Sequence, residues 1–170
     1  MRVHFGYANS YSVDSSCICD TYEDQDVRIY LDNCCFNRPF DDQRQTRIRL
    51  EAEAKLCIQE NVRDGKLELA WSYILDFENE ANPFEERRTT ISKWRQYAAV
   101  DVEEAASILQ KANSLVGFGL KAKDALHISC AIAGGCEYFV TTDDGVLRRG
   151  KDVQGIIVLD PASFVREMNL

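Results

Sequence analysis

Four acidic side chains stand where an α/β chain brings residues to one edge: Asp32, Glu78, Asp124 and Asp143. Asp32 closes the β-prone run Val27-Arg28-Ile29-Tyr30-Leu31. Asp143 follows Tyr138-Phe139-Val140-Thr141, so each stands at the carboxyl end of a predicted strand, where parallel sheets bind ligands. Asp124 falls in the first turn of a predicted helix, Ala122 to Ala133, where free N–H groups favour a carboxylate. Glu78 lies about two turns into a short helix opened by Ser72. Carboxylates gathered at one edge repel, and two unit charges ~4 Å apart cost roughly 4 kcal/mol at an effective dielectric of about 20. Such a cluster holds protons or a cation, and oxygen-only ligation selects Mg²⁺ or Mn²⁺ over zinc. A cation held with open positions activates water, orients it on a phosphorus and stabilises the leaving oxygen. Thr141 and Thr142 are placed to hydrogen-bond the carboxylates from behind.

Each acid also has an ordinary structural role. An Asp in a first helical turn caps, and Asp-Asp-Gly after a strand makes a turn. Only the four together point to a shared site.

The elements that carry these acids alternate. After the first strand, Asn33 to Asp42 reads as a loop, and a long helix follows from about Gln43 to Arg63. Its apolar stripe is Leu50, Ala54, Cys57, Ile58 and Val62. Leu67 to Trp71 is a second strand, and SYILDFENE from Ser72 a short helix. Asn82-Pro83 opens a helix that runs through Ile91 to about Trp94. A short extended piece, Tyr97 to Val100, precedes a helix capped by Asp101 with Glu104 completing a capping box. The inward face of that helix is Val102, Ala105, Ala106, Leu109 and Ala112. Gly134-Gly135 ends the Asp124 helix. Gly155 to Leu159 is a last buried strand, followed by a short helix after Pro161. Strands alternating with helices define a single α/β domain with a central, mostly parallel sheet flanked by helices.

The chain has 170 residues, 45% of them hydrophobic, enough for one domain with a real core. No apolar run approaches membrane-helix length, and the N-terminus lacks a secretory layout, so no membrane association is expected. Seven cysteines occur, but Cys17 and Cys19 are one residue apart, Cys34 and Cys35 are adjacent, and no C-x-x-C pair is present. That spacing suits a reduced, cytoplasmic protein. The formal charge is −8. Half of it lies in residues 1–26, where Arg2 stands against Asp14, Asp20, Glu23, Asp24 and Asp26. Local basic groups (Arg44, Arg47 and Arg49; Arg87 and Arg88; Lys121 and Lys123; Arg148, Arg149 and Lys151) permit contact with phosphates.

Four pieces, IYLDNCCFNRPFDD, SYILDFENEANP, KAKDALHI and FVTTDD, occur in an order and at element ends that resemble a PIN domain of the VapC-like ribonuclease family. The resemblance runs from about Val27 to Phe164. It implies the PIN-like three-layer sandwich and an Mg²⁺- or Mn²⁺-dependent endoribonuclease acting on RNA. It also implies products with 5′-phosphate and 3′-hydroxyl ends, a homodimer and, for the toxin of a toxin–antitoxin pair, an antitoxin protein as partner. It places the family's first acid on Asp32, its third on Asp124, and the acid of its T-x-D turn on Asp143, with Thr141 as the threonine. The second acid falls on Glu78; Glu80, Glu51 and Glu53 compete, the last two as surface partners of Arg47, Arg49 and Lys55. Asp144 is either a water-mediated ligand or part of the turn.

His127, Trp71 and Trp94 fit packed roles, and Cys34-Cys35 fits loop packing. One rival is a catalytically silent PIN-like binding or assembly module. A haloacid-dehalogenase-like phosphatase is weaker, because it needs a second Asp two residues after the first, and Cys34 occupies that position. The nuclease domain is expected over 27–167. Residues 1–26 have no apolar periodicity and read as a loosely ordered acidic extension, with Val27 as an alternative start.

Overall fold

A computed structural model describes residues 27–170. The expectation for residues 1–26 lies outside the described residues. Five strands form one wholly parallel sheet: β1 (Arg28–Leu31), β2 (Glu68–Ser72), β3 (Ala98–Val102), β4 (Tyr138–Val140) and β5 (Ile157–Leu159), in the order β3-β2-β1-β4-β5. The helices are α1 (Asn33–Asn37), α2 (Thr46–Arg63), α3 (Tyr73–Glu80), α4 (Glu85–Ser92), α5 (Ala106–Gly117), α6 (Ala122–Ala133), α7 (Asp144–Gly150) and α8 (Pro161–Glu167). Parallel strands covered on both faces need continuous apolar runs. Ile29, Tyr30, Leu31, Leu69, Ala70, Trp71, Phe139 and Val140 supply them and are fully excluded from solvent.

From β1 through β2 to β3 the chain steps one way along the sheet, and from β3 through β4 to β5 it steps the other way. With right-handed crossovers, the reversal sends α1 to α4 to one face and α5 to α7 to the opposite face. This is the three-layer α/β sandwich. α5 packs on α6, and α8 returns from the edge to pack on α2. The reversal falls between β1 and β4, the switch point at which a parallel sheet leaves a crevice beyond its carboxyl ends. Asp32 and Asp143 follow those two strands.

Several local expectations are corrected. Asn33 to Asp42 is not a loop: α1 starts directly after Asp32, whose carbonyl accepts from Cys35 N–H at 2.9 Å, and Arg38–Phe40 adds a 3₁₀ turn. Cys35 and Phe36 enter the core, which stabilises a helix too short to show a periodic pattern. Asp101 caps no helix. Ala98–Val102 pairs with β2 as an edge strand, with Trp71 opposite Asp101 and Ser72 opposite Val102, and α5 begins at Ala106. The ladder satisfies a whole row of backbone groups, whereas a capping box satisfies two donors. Leu109, expected inside, is 39% exposed; Ile108, Ala112 and Leu115 form the buried face.

The inward face of α2 is also rotated from the predicted stripe. Glu51, Ala52, Lys55, Ile58, Gln59 and Val62 are buried, while Leu50 is 57% exposed. α4 ends at Ser92, and Trp94 sits half-buried in a 3₁₀ turn over Lys93–Tyr97. The polar turn after β4 is the start of a helix, α7. Trp71 is core as expected, edge-on to Phe36 at 5.5 Å between ring centroids. Among the described residues Cys34, Cys35, Cys57, Cys130 and Cys136 are free thiols, and no helix is long and apolar enough to cross a membrane.

Candidate active site

The β1–β4 register sets Leu31 opposite Val140, and Asp32 N–H extends it by donating to the Val140 carbonyl at 2.9 Å. Asp32 and Thr141 therefore emerge side by side. Thr141 donates its hydroxyl to Asp32 Oδ2 at 2.7 Å, and Cys34 donates its thiol to the same oxygen at 3.2 Å. Asp143 N–H closes the pattern by donating to Thr141 Oγ1 at 3.1 Å. Asp143 also caps α7: its Oδ1 accepts from Gly145 N–H at 2.7 Å and Val146 N–H at 3.0 Å. A Cβ on Gly145 would lie 2.9 Å from that oxygen, so a larger residue there would shift the capping carboxylate. Capping occupies one oxygen of Asp143 and leaves Oδ2 without a hydrogen bond among the described residues. Asp32 Oδ1 is in the same condition.

Asp124 stands in the first turn of α6. Burial first, then the charges of Asp32 and Asp143, push its carboxyl above its ordinary value, and Lys121 and His127 only partly offset them. Asp32, Asp124 and Asp143 thus lie within electrostatic reach of one another.

Glu78 is different in kind. His127 Nε2 lies 2.9 Å from its Oε2, and Lys123 Nζ lies 3.0 Å from its Oε1. The His127 hydrogen bond, supported by Lys123 and opposed by burial, holds the Glu78 carboxyl down at about 2. An ionised carboxylate only accepts, so His127 Nε2 carries a proton and donates. In the neutral ring Nδ1 then accepts from Tyr30 OH at 2.8 Å, and Tyr30 in turn meets Ser72 Oγ at 2.6 Å. His127 is 1% exposed and fully engaged, the packed role expected of it. Ligand atoms of Asp32, Glu78 and His127 lie within 4.8 Å of one another, which seats Glu78 beside Asp32.

Its competitors lie elsewhere. Glu80 and Glu53 are exposed. Glu51 does pair with Arg47, at 2.7 Å, but it is buried rather than on the surface, and Arg38 Nε holds its other oxygen at 2.9 Å. Asp144 forms a two-pronged ion pair with Arg47 at 2.7 and 2.9 Å. These placements separate the glutamates experimentally. Glu78→Gln is expected to remove most activity. Glu51→Gln leaves two guanidinium groups short of a partner and is expected to cost about 2 kcal/mol of stability, with turnover per folded molecule unchanged. Urea melts and initial rates on both variants check this; the reverse pattern would move the second acid onto α2.

Cys34, Lys123 and Ser72 were read in other roles and Tyr30 only as a strand residue, so their support of the acids was missed. Lys123 had a signal, because it precedes His127 by four residues and so shares its helix face. Tyr30 had none, being one apolar position in a buried run.

The PIN domain family model matches residues 29–152, a span that takes in all four acids, and the chain belongs to the PIN domain family. Among solved structures it is similar to VapBC2 from Rickettsia felis bound to a DNA fragment from their promoter, at 14% identity over 79% of this chain and 98% of that one, with a TM-score of 0.48. It is also similar to DNA-bound VapBC from Salmonella typhimurium (16% identity, 79% and 98% coverage, TM-score 0.47). A third likeness is FitAcB from Neisseria gonorrhoeae (14% identity, 78% and 97% coverage, TM-score 0.47). No curated protein matches the chain.

Proposed function

We propose that this PIN domain is an endoribonuclease that hydrolyses RNA phosphodiester bonds with Mg²⁺ or Mn²⁺ held by Asp32, Asp124 and Asp143. One observation carries the reading: Asp32 and Asp143 follow the two strands of the sheet's switch point, Asp124 opens α6 within electrostatic reach of both, and among the described residues none of the three forms an ion pair. Glu78, by contrast, has two basic neighbours. The donor set fits a hard cation, since it is all oxygen, and Asp32 and Asp143 each have one oxygen tethered and one without a hydrogen bond among the described residues. The ion, when bound, lowers the pKa of water and neutralises charge developing on the phosphate.

The chain's own groups do the rest. Thr141 and Cys34 fix the rotamer of Asp32, and the α7 cap fixes Asp143, so the site is preorganised by neutral donors that leave its negative charge intact. Glu78, held at about 2, is too weak a base to take a proton near pH 7. It acts as an acceptor that orients water, and His127 with Tyr30 holds it in place.

The VapC-like motif set supports a finer reading as the toxin of a toxin–antitoxin pair, a cytoplasmic homodimer with an antitoxin protein as partner. A short upstream gene encoding a DNA-binding fold with a disordered tail would be its counterpart. Cleavage of single-stranded RNA is expected with Mg²⁺ or Mn²⁺, to stop with EDTA and to resume on refilling. Cation binding without cleavage would return the domain to a silent binding module.

A further inference from the structure

We infer that the cavity between the ends of α5 and α7 is a nucleotide subsite, which grips the RNA strand away from the scissile phosphate; this rests on the ribonuclease reading above. The cavity has a volume of about 320 Å³ and is lined by Lys111, Leu115, Phe118, Arg148, Arg149 and Asp152 among others. Three cations against one acid make it locally basic in a chain whose net charge is −8. Phe118 is 82% exposed, the most exposed of the large hydrophobic side chains among the described residues. An aromatic face beside guanidinium groups is the combination that binds single-stranded nucleic acid: the ring stacks a base and the cations hold the backbone.

Two features build the cavity rather than leave it to chance. Gly119 has φ +93°, and a Cβ there would stand 3.2 Å from Arg149 Nε, so the arginine arm lies directly over the Phe118–Gly119 backbone. Arg148 Nε donates to the Asp144 carbonyl at 3.2 Å, which ties that arm to α7.

The cavity is linked to the acids through the chain segments that line it. Arg148 is five residues beyond Asp143 on the helix that Asp143 caps, a rise of about 7.5 Å. Phe118 precedes α6, the helix carrying Asp124, by four residues. A strand seated on Phe118 and Arg149 is therefore led toward the Asp124–Asp143 edge by the same two helices. The basic lining beside an exposed aromatic ring favours the phosphates and bases of RNA as the occupant.

The test is anisotropy with a fluorescein-labelled, mixed-sequence ten-nucleotide RNA in EDTA at low salt, where no cleavage is expected. Phe118→Ala should weaken binding about tenfold and Phe118→Trp should restore it. Arg149→Gln should weaken binding and flatten its salt dependence by about one counterion, whereas Lys151→Gln, off the cavity, should change affinity less than about twofold. If Phe118→Ala binds like wild type while wild type cleaves RNA with Mg²⁺, the subsite is overturned and the ribonuclease reading stands. If wild type neither binds nor cleaves RNA, that reading falls and the subsite with it. A change in sedimentation of Phe118→Ala would make this face a contact between copies and would likewise overturn the subsite.

Discussion

Asp124→Asn is expected to lower RNA cleavage at saturating Mg²⁺ by more than about 100-fold, and at the same time to raise the melting temperature in EDTA. The first effect follows from ligation. Loss of a group merely supporting a metal ligand costs 10–100-fold, so loss of one of three ligating charges should cost more. The second follows from the pKa. Burial and the charges of Asp32 and Asp143 raise the Asp124 carboxyl above its ordinary value of 3.8. Between the ordinary and the raised value the native protein binds more protons than the unfolded chain, so stability falls as pH rises through that interval. Above it the wild type carries an uncompensated charge that asparagine lacks.

The two effects therefore have opposite signs, activity falling in Mg²⁺ and stability rising in EDTA, and the same cause. Adding Mg²⁺ should raise the wild-type melting temperature and leave the variant nearly still, because only the wild type retains the full binding set. Initial rates and melting curves in EDTA and in Mg²⁺ are the measurements. A variant that cleaves at the wild-type rate would remove Asp124 from the site. A lower melting temperature in EDTA would instead show that the attraction between the carboxylate and the start of α6 outweighs the repulsion, an effect of about 0.3–1 kcal/mol.

How much of this was legible depended on where the information resides. The placement of Asp32, Asp124 and Asp143 was readable because each stands at the end of an element with a strong local pattern, and element ends of a parallel sheet share an edge. Glu78 was readable only as one of four glutamates, since its distinction from Glu51 is tertiary: His127 and Lys123 reach it from α6, whereas Arg38 and Arg47 close on Glu51. The Asp101 cap failed because local sequence carries no sign that the edge of β2 needs a partner. α2 failed for a related reason. A hydrophobic stripe selects Leu50 and discards Glu51 and Lys55, yet the fold turns the charged positions inward, where partners from other segments meet them. Buried charges are the positions that pattern alone misplaces.

Lys55→Met is accordingly expected to stabilise the protein at pH 7, by about 1–3 kcal/mol. Lys55 is 5% exposed and forms no ion pair among the described residues; its ammonium faces the rings of Phe36 at 5.7 Å and Trp94 at 6.0 Å. Burial pulls its pKa from 10.5 down to about 8. That displacement corresponds to roughly 3 kcal/mol of penalty on the charged form. The two aromatic faces return part of what methionine would gain, about 0.5–2 kcal/mol. Methionine has nearly the same length and fills the space without a charge. The pH dependence supplies the sharper test. Between about 8 and 10.5 the unfolded chain holds this proton and the native protein does not, so wild-type stability gains from Lys55 as pH rises through that window. Below it the penalty is present in full. The variant's advantage should thus be largest near pH 7 and shrink toward pH 10.5. Urea melts of both proteins at pH 7 and pH 10 measure it, and the difference between them removes the tyrosines and thiols that titrate over the same range. An advantage that is absent at pH 7, or unchanged at pH 10, would mean that Lys55 keeps its hydration in solution and that the rotated face of α2 is more open than the structure shows.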